Sequence, residues 1–221
     1  MCSPGAELVY RVHQAAPDPK TLVVVNCAGR TRSIIGAQSL INAGIPNKVV
    51  ALKNGTMGWH LAGLELEHGQ SRVAQIPSGN SLKNAIEAAV KVARRFSIRS
   101  ISRIELEKLK DETGRTLYVF DVRSPEEYAA GHVRGSISAP GGQLVQATDT
   151  FAAVHGARIA LVDDDGVRAT MTASWLLQMG WPEVFVVEGA SLEARNIEFP
   201  LHPPSCSFIS PKDLEIGRAH V

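Results

Sequence analysis

The sequence predicts an α/β fold of parallel sheets flanked by helices on both faces, and three observations carry that expectation. Short apolar, β-branched runs alternate with stretches of helical periodicity. Each strand-like run feeds a loop, a helix and another strand at the short spacing typical of a parallel sheet. The chain also repeats itself: an offset of 136 places SPGAELV (Ser3 to Val9) on APGGQLV (Ala139 to Val145) and LINAGIP (Leu40 to Pro46) on LLQMGWP (Leu176 to Pro182). Between Pro4 and Pro46, ten of the 43 positions are identical in the two copies, several times the chance expectation.

In chain order, LVVVN at 22–26 is a strand, followed by a loop and a helix over 32–43 whose end Gly44 marks as a C′ glycine. KVVAL is the next strand. EHGQSRVAQIPSGN reads as a linker, leading into a helix from Ser81 to Phe96 with Leu82, Ile86, Ala89, Ala93 and Phe96 on one packing stripe. Ser102 and Glu105 form a capping-box pattern for a short helix, TLYVFDV is a buried strand, and RSPEEYAAGHVRG reads as a polar loop and turn. RIALV at 158–162, a helix over 168–179 ending before Gly180, and VFVVE then repeat the first copy. Nothing matching the front half of the second copy precedes the first, which is expected to lack an opening helix and strand. ISPKDL near the tail resembles ISRIEL (Ile101 to Leu106), as if a third unit starts, and IGRAHV reads as a sequencing-adapter translation. The expected divisions are 1–68, a linker and connecting helix at 69–98, a second domain at 99–203, the start of a third repeat at 204–215, and 216–221.

Composition narrows the partners. Among 221 residues, 44% are apolar and 20% charged, with a net charge of +1, so no overall bias points to nucleic acid or an acidic membrane surface. No apolar run approaches the roughly 18 residues of a membrane span, and MCSPGAELVY lacks the basic start and apolar core of a signal peptide. The cysteines, Cys2, Cys27 and Cys206, are odd in number and widely spaced, without zinc or disulfide spacing. A reducing, cytoplasmic setting is the expectation.

The chemistry concentrates in CAGRTR, Cys27 to Arg32. Cys27 follows a strand of a parallel sheet, where α/β folds bind ligands. The loop then enters a helix, so its backbone N–H groups and the positive end of the helix can face an anion. Small Ala28 and Gly29 let the backbone curl closely, and Arg30 and Arg32 add positive charge that favours thiolate. A lone cysteine is more often a buried, inert packing residue, and Cys2 and Cys206 are read that way; Cys27 has a context they lack.

At these residues a family becomes recognisable. NCAGRTRSIIGAQSLINAGIPNKVVALKNGTMGWHLAG resembles the active-site half of a rhodanese domain, with a closing G-x-x-x-W-x-x-A-G at Gly55, Trp59, Ala62 and Gly63. FDVRSPEEYAAGHVRGSISAPGG resembles the opening signature of that family, with Asp121, Arg123, Glu127, Tyr128, Gly131, His132 and Gly135 in its pattern. The resemblance implies tandem rhodanese-like domains and a sulfurtransferase. The Cys27 thiolate would take the outer sulfur of a donor such as thiosulfate as a persulfide and pass it to a thiophilic acceptor, without metal or cofactor. Ala28, Gly29, Arg30, Thr31 and Arg32 would form the donor site, with a protein sulfur acceptor as an alternative to a small one. A phosphatase built on a related loop needs arginine six positions after the cysteine, and Ser33 stands there.

Under the offset, Cys27 falls on Asp163 in DDDGVR. A carboxylate cannot carry sulfane sulfur, so the second domain is expected to be silent, with Asp163 to Asp165 serving as helix caps; a magnesium site is the functional alternative. His132 reads as structural. The rival to an enzyme is a non-catalytic scaffold or sulfur-carrier protein.

Overall fold

The computed structural model describes residues 1–69 and 71–189. Cys206, the tail repeat and the segment after Gly189 lie outside the described residues.

A 3-10 turn at Gly5–Glu7 runs into α1 (Leu8–Ala15), β1 (Val23–Val25), α2 (Thr31–Ala43), β2 (Val49–Ala51) and α3 (Gly55–Leu61). Three consecutive valines make β1. Helix α2 stops where Gly44 adopts φ +68° and its N–H reaches back to the Leu40 and Ile41 carbonyls. β1 and β2 pair in parallel, Val23 with Val49 through Val25 with Ala51.

Helix α4 (Gly79–Arg95) follows. Its buried stripe is Ala85, Ala88, Ala89 and Val92, with Leu82, Ile86 and Phe96 partly buried beside it. The expected stripe is thus rotated slightly, because small alanines allow close approach to α1 and, in the second half, to α9.

The second half comprises β3 (Arg99–Ile101), α5 (Arg103–Asp111), β4 (Leu117–Asp121), α6 (Pro125–Ala130), β5 (Ile137–Ser138), α7 (Gly141–Gln146), α8 (Thr148–Phe151), β6 (Arg158–Val162), α9 (Val167–Gln178) and β7 (Val184–Val187). Its five strands are parallel in the order β3-β7-β6-β4-β5. Alternate residues serve the two faces: Phe120, Ile159 and Leu161 meet α7 and α9, whereas Val119, Ala160 and Phe185 meet Leu106 of α5. The capping box at Ser102 and Glu105 is formed in both directions. The segment read as a polar loop and turn contains α6, with a second complete capping box between Ser124 and Glu127 and Pro125 at the favourable first position.

β6 and β7 reproduce the parallel pairing of β1 and β2, with Ile159 opposite Val184. The connection after Gly180 is one residue shorter than that after Gly44, so the offset becomes 135 beyond Pro46 and Pro182. The halves meet through matched positions. Trp175 Nε1 donates to Ser39 Oγ at 2.8 Å, and those two positions correspond under the offset. Gly141 and Gly142 lie against Gly5 and Ala6, their own counterparts; a Cβ on Gly141 would come within 2.9 Å of Ala6 Cβ. Val167 and Met171 of α9 share one core cluster with α1, α2 and α4.

Candidate active site

Cys27 stands just beyond β1, half-buried, with α2 beginning four residues later. No N-cap side chain closes the start of α2. The thiol sulfur takes that place: Ser33 N donates to Cys27 Sγ at 3.4 Å, and Ser33 Oγ lies 3.4 Å from the same sulfur. In this arrangement the thiol donates to the hydroxyl, and the hydroxyl proton goes to the Arg30 carbonyl at 2.9 Å. Once the sulfur is ionised, the hydroxyl can turn its proton onto it. Partial burial pushes the thiol pKa up, but the Ser33 hydroxyl and amide, the Gly29 amide and the Arg32 charge outweigh it and hold it below the ordinary thiol value.

Helix α3 packs beside the loop and holds it. Thr56 N donates to Cys27 O at 2.9 Å and Met57 N to Ala28 O at 3.0 Å, so these carbonyls are turned away from an incoming anion. Gly55 makes that approach possible: at φ +59°, any Cβ would lie 2.2 Å from Cys27 O and 2.3 Å from Gly29 O. Trp59 Nε1 donates to Glu65 O at 2.8 Å, tying the end of α3 to the chain that follows. Ala28, Arg30, Thr31 and Arg32 are exposed at the mouth, and Gly29 is half-buried. Neither Arg30 nor Arg32 has an ion-pair partner among the described residues.

A family model for the rhodanese-like domain matches residues 102–193. The crystal structure of thiosulfate sulfurtransferase from Pseudomonas aeruginosa is 61% identical over 85% of this chain, with a TM-score of 0.82. Residues 102–193 belong to the rhodanese-like family. The chain spans 36% of the length of that Pseudomonas protein. Weaker similarities are to a rhodanese with anions from E. coli (22% identity, 38% of this chain, 95% of that one, TM-score 0.31) and to a human single-domain sulfurtransferase (24%, 42%, 90%, TM-score 0.36). None of the curated proteins compared matches the chain. No helix among the described residues is long and apolar enough to cross a membrane.

The corresponding loop of the second half shares one of the amides found at Cys27. Asp163 is buried, its Oδ2 accepting Ala169 N at 3.0 Å and its Oδ1 accepting Gly166 N at 2.8 Å. Ala169 is the counterpart of Ser33, so the amide that faces the Cys27 sulfur here faces a carboxylate. Asp165 accepts Val167 N at 3.1 Å. Burial pushes the Asp163 carboxyl up to about 6, against the opposing pull of the Ala169 amide. Around it a cleft of about 310 Å³ is lined by Asp163, Asp164, Asp165 and Glu188. Among the described residues no group of three or more His, Cys, Asp or Glu side chains is placed to hold a metal ion.

Sequence reasoning did not foresee the fate of Arg168, the counterpart of Arg32. It is fully buried, pairing with Glu127 at 2.7 Å, Asp164 at 3.2 Å and Glu7 of the first half at 3.4 Å, and lying over the Tyr10 ring. Identity of Arg32 and Arg168 under the offset was the available signal, but charge alone does not tell a solvent-facing arginine from a paired one. His132 is buried, stacks on Tyr128 at 4.0 Å between ring centres, and has Nδ1 3.0 Å from the Tyr128 carbonyl. Those contacts suit a packing role in the turn.

Proposed function

We propose that this chain acts as a sulfurtransferase of the thiosulfate sulfurtransferase type, through a persulfide on Cys27. The observation that carries the reading is a half-buried thiol acting as the cap acceptor of α2, with its pKa lowered and two unpaired arginines at its mouth. The Pseudomonas similarity supports the same class. In the first step the Cys27 thiolate attacks the outer sulfur of thiosulfate; a new S–S bond forms, the donor S–S bond breaks, and sulfite leaves with its electron pair. In the second, an acceptor nucleophile takes the outer sulfur and Cys27 departs as thiolate. This is ping-pong covalent catalysis. Arg30 and Arg32, with Thr31 beside them, bind the sulfonate by charge and hydrogen bonding, and the amides around Gly29 and Ser33 hold the negative persulfide. Ala28 and Gly29 keep the approach open.

In this reading residues 1–68 carry the active loop, and residues 99–203 form a silent domain in which Asp163 fills the place of the thiol. That acidic loop is the observation favouring a scaffold or sulfur-carrier role for the second half. The deciding measurement is a thiosulfate:cyanide assay on the chain and on Cys27→Ser, with mass spectrometry after thiosulfate treatment. The expected result is activity and one added sulfur on the Cys27 peptide, both lost in the variant; equal rates in the two proteins would end the proposal and leave the scaffold.

A further inference from the structure

The helix beside the Cys27 loop exposes more apolar surface than a small donor needs. Helix α3, already fastened to the Cys27 and Ala28 carbonyls, presents Met57 and Leu61 to solvent at 61% and 78% exposure, with Trp59 and Leu64 exposed beside them. Single exposed apolar side chains are ordinary, but four within eight positions next to a nucleophile mark a contact surface. The same region is cationic. Lys53, exposed just before α3, joins Arg30 and Arg32 as a third cation without an ion-pair partner among the described residues. Among the described residues nearby, Glu65 is the acid not already paired, since Glu67 reaches Arg72.

The fold does not demand this charge. In the second half Glu188 stands where Lys53 does, Gly166 replaces Arg30, and Arg168 is consumed in buried ion pairs. Cyanide and sulfite are small and strongly hydrated, and gain nothing from an apolar helix face.

Resting on the sulfurtransferase reading, we propose that the sulfur acceptor is a peptide or protein thiol on an acidic segment bearing apolar side chains, which docks on α3 beside Cys27. Its thiolate attacks the outer sulfur of the Cys27 persulfide. The S–S bond to Cys27 breaks, Cys27 leaves as thiolate, and the acceptor becomes the persulfide, with no outside oxidant or reductant.

The test loads the full chain from thiosulfate and compares three acceptors: cyanide, a synthetic cysteine peptide flanked by aspartate and leucine, and the same peptide with lysine for aspartate. The acidic peptide should be used about tenfold or more better than the basic one, with that advantage shrinking at high salt. Leu61→Asp should lower kcat/KM for the acidic peptide about tenfold while leaving cyanide turnover within about twofold, and Leu64→Asp should do the same. Equal use of the two peptides, or no effect of either variant on the peptide reaction, overturns the docking proposal alone. A dimer in solution that Leu61→Asp dissociates also overturns it, giving the patch to a second copy. Absence of transfer to cyanide as well sinks the sulfurtransferase reading, and this proposal with it.

Discussion

Two side chains at corresponding positions, Cys27 and Asp163, receive an amide from the first turn of the following helix, and their different chemistry sets two predictions. Ser33 supplies both an N–H and a hydroxyl to the Cys27 sulfur. Ser33→Ala should move the pH midpoint of Cys27 alkylation upward, because the variant keeps the amide and loses the hydroxyl; an unchanged midpoint would leave the thiolate to the backbone and Arg32. For Asp163 the folded carboxyl titrates at about 6, above its ordinary 3.8. A raised acid contributes stability that is complete below its unfolded pKa and is lost as pH rises through the folded one. Relative to Asp163→Asn, the chain should therefore lose about 3 kcal/mol of unfolding free energy as the pH rises from about 4 to about 7, the free-energy equivalent of that displacement. Denaturant titrations of both proteins across that range check it; a constant difference would refute it. At this scale the thiol loop was legible in CAGRTR, because strand, small residues, arginines and helix are all written locally. Ser33 was legible only as a residue that is not arginine, since which helix residue reaches back to the sulfur depends on how α2 starts.

Helix α3 shows how a short element serves a site. Its close approach depends on Gly55, where positive φ and contact with two backbone carbonyls both forbid a side chain. Gly55→Ala should cost about 1–3 kcal/mol and, by displacing the Cys27 loop, cut sulfur transfer about a hundredfold. Thermal melts and the cyanide assay read the two effects separately, and a fully active, equally stable variant would contradict this account of the packing. Helices α2, α4, α5 and α9 were readable from apolar periodicity and end signals. Helix α6 was not, because its charged and small residues lack an apolar period; the decisive signal was the Ser-Pro-x-Glu arrangement at Ser124 to Glu127, the same cap that marks α5. The brief strands β3 and β5 gain definition from neighbouring strands rather than from their own residues.

Across the whole molecule, Arg168 joins the second loop to the first half through Glu7 while its guanidinium is wholly buried. Arg168→Ala would strand Glu127 without its cation, while Glu7 keeps Arg11, and should cost about 3–5 kcal/mol, whereas Arg168→Met, which restores volume, should cost less only if Glu127 is changed to glutamine with it. Because α9 shares a core with α1, α2 and α4, calorimetry should show one unfolding transition; two separate transitions would mean the halves are independent. The α4 stripe was legible in the sequence as a packing face, but the faces it brings together were not. The hydrogen bond from Trp175 to Ser39 bears on symmetry. A position meets its own counterpart only about a twofold axis, the arrangement of a symmetric dimer. Covalent linkage frees such a pair from self-complementarity, so one side can become tryptophan and the other serine. The same freedom lets corresponding loops carry different chemistry, a thiol at Cys27 and a carboxylate at Asp163, a difference that two identical subunits could never hold.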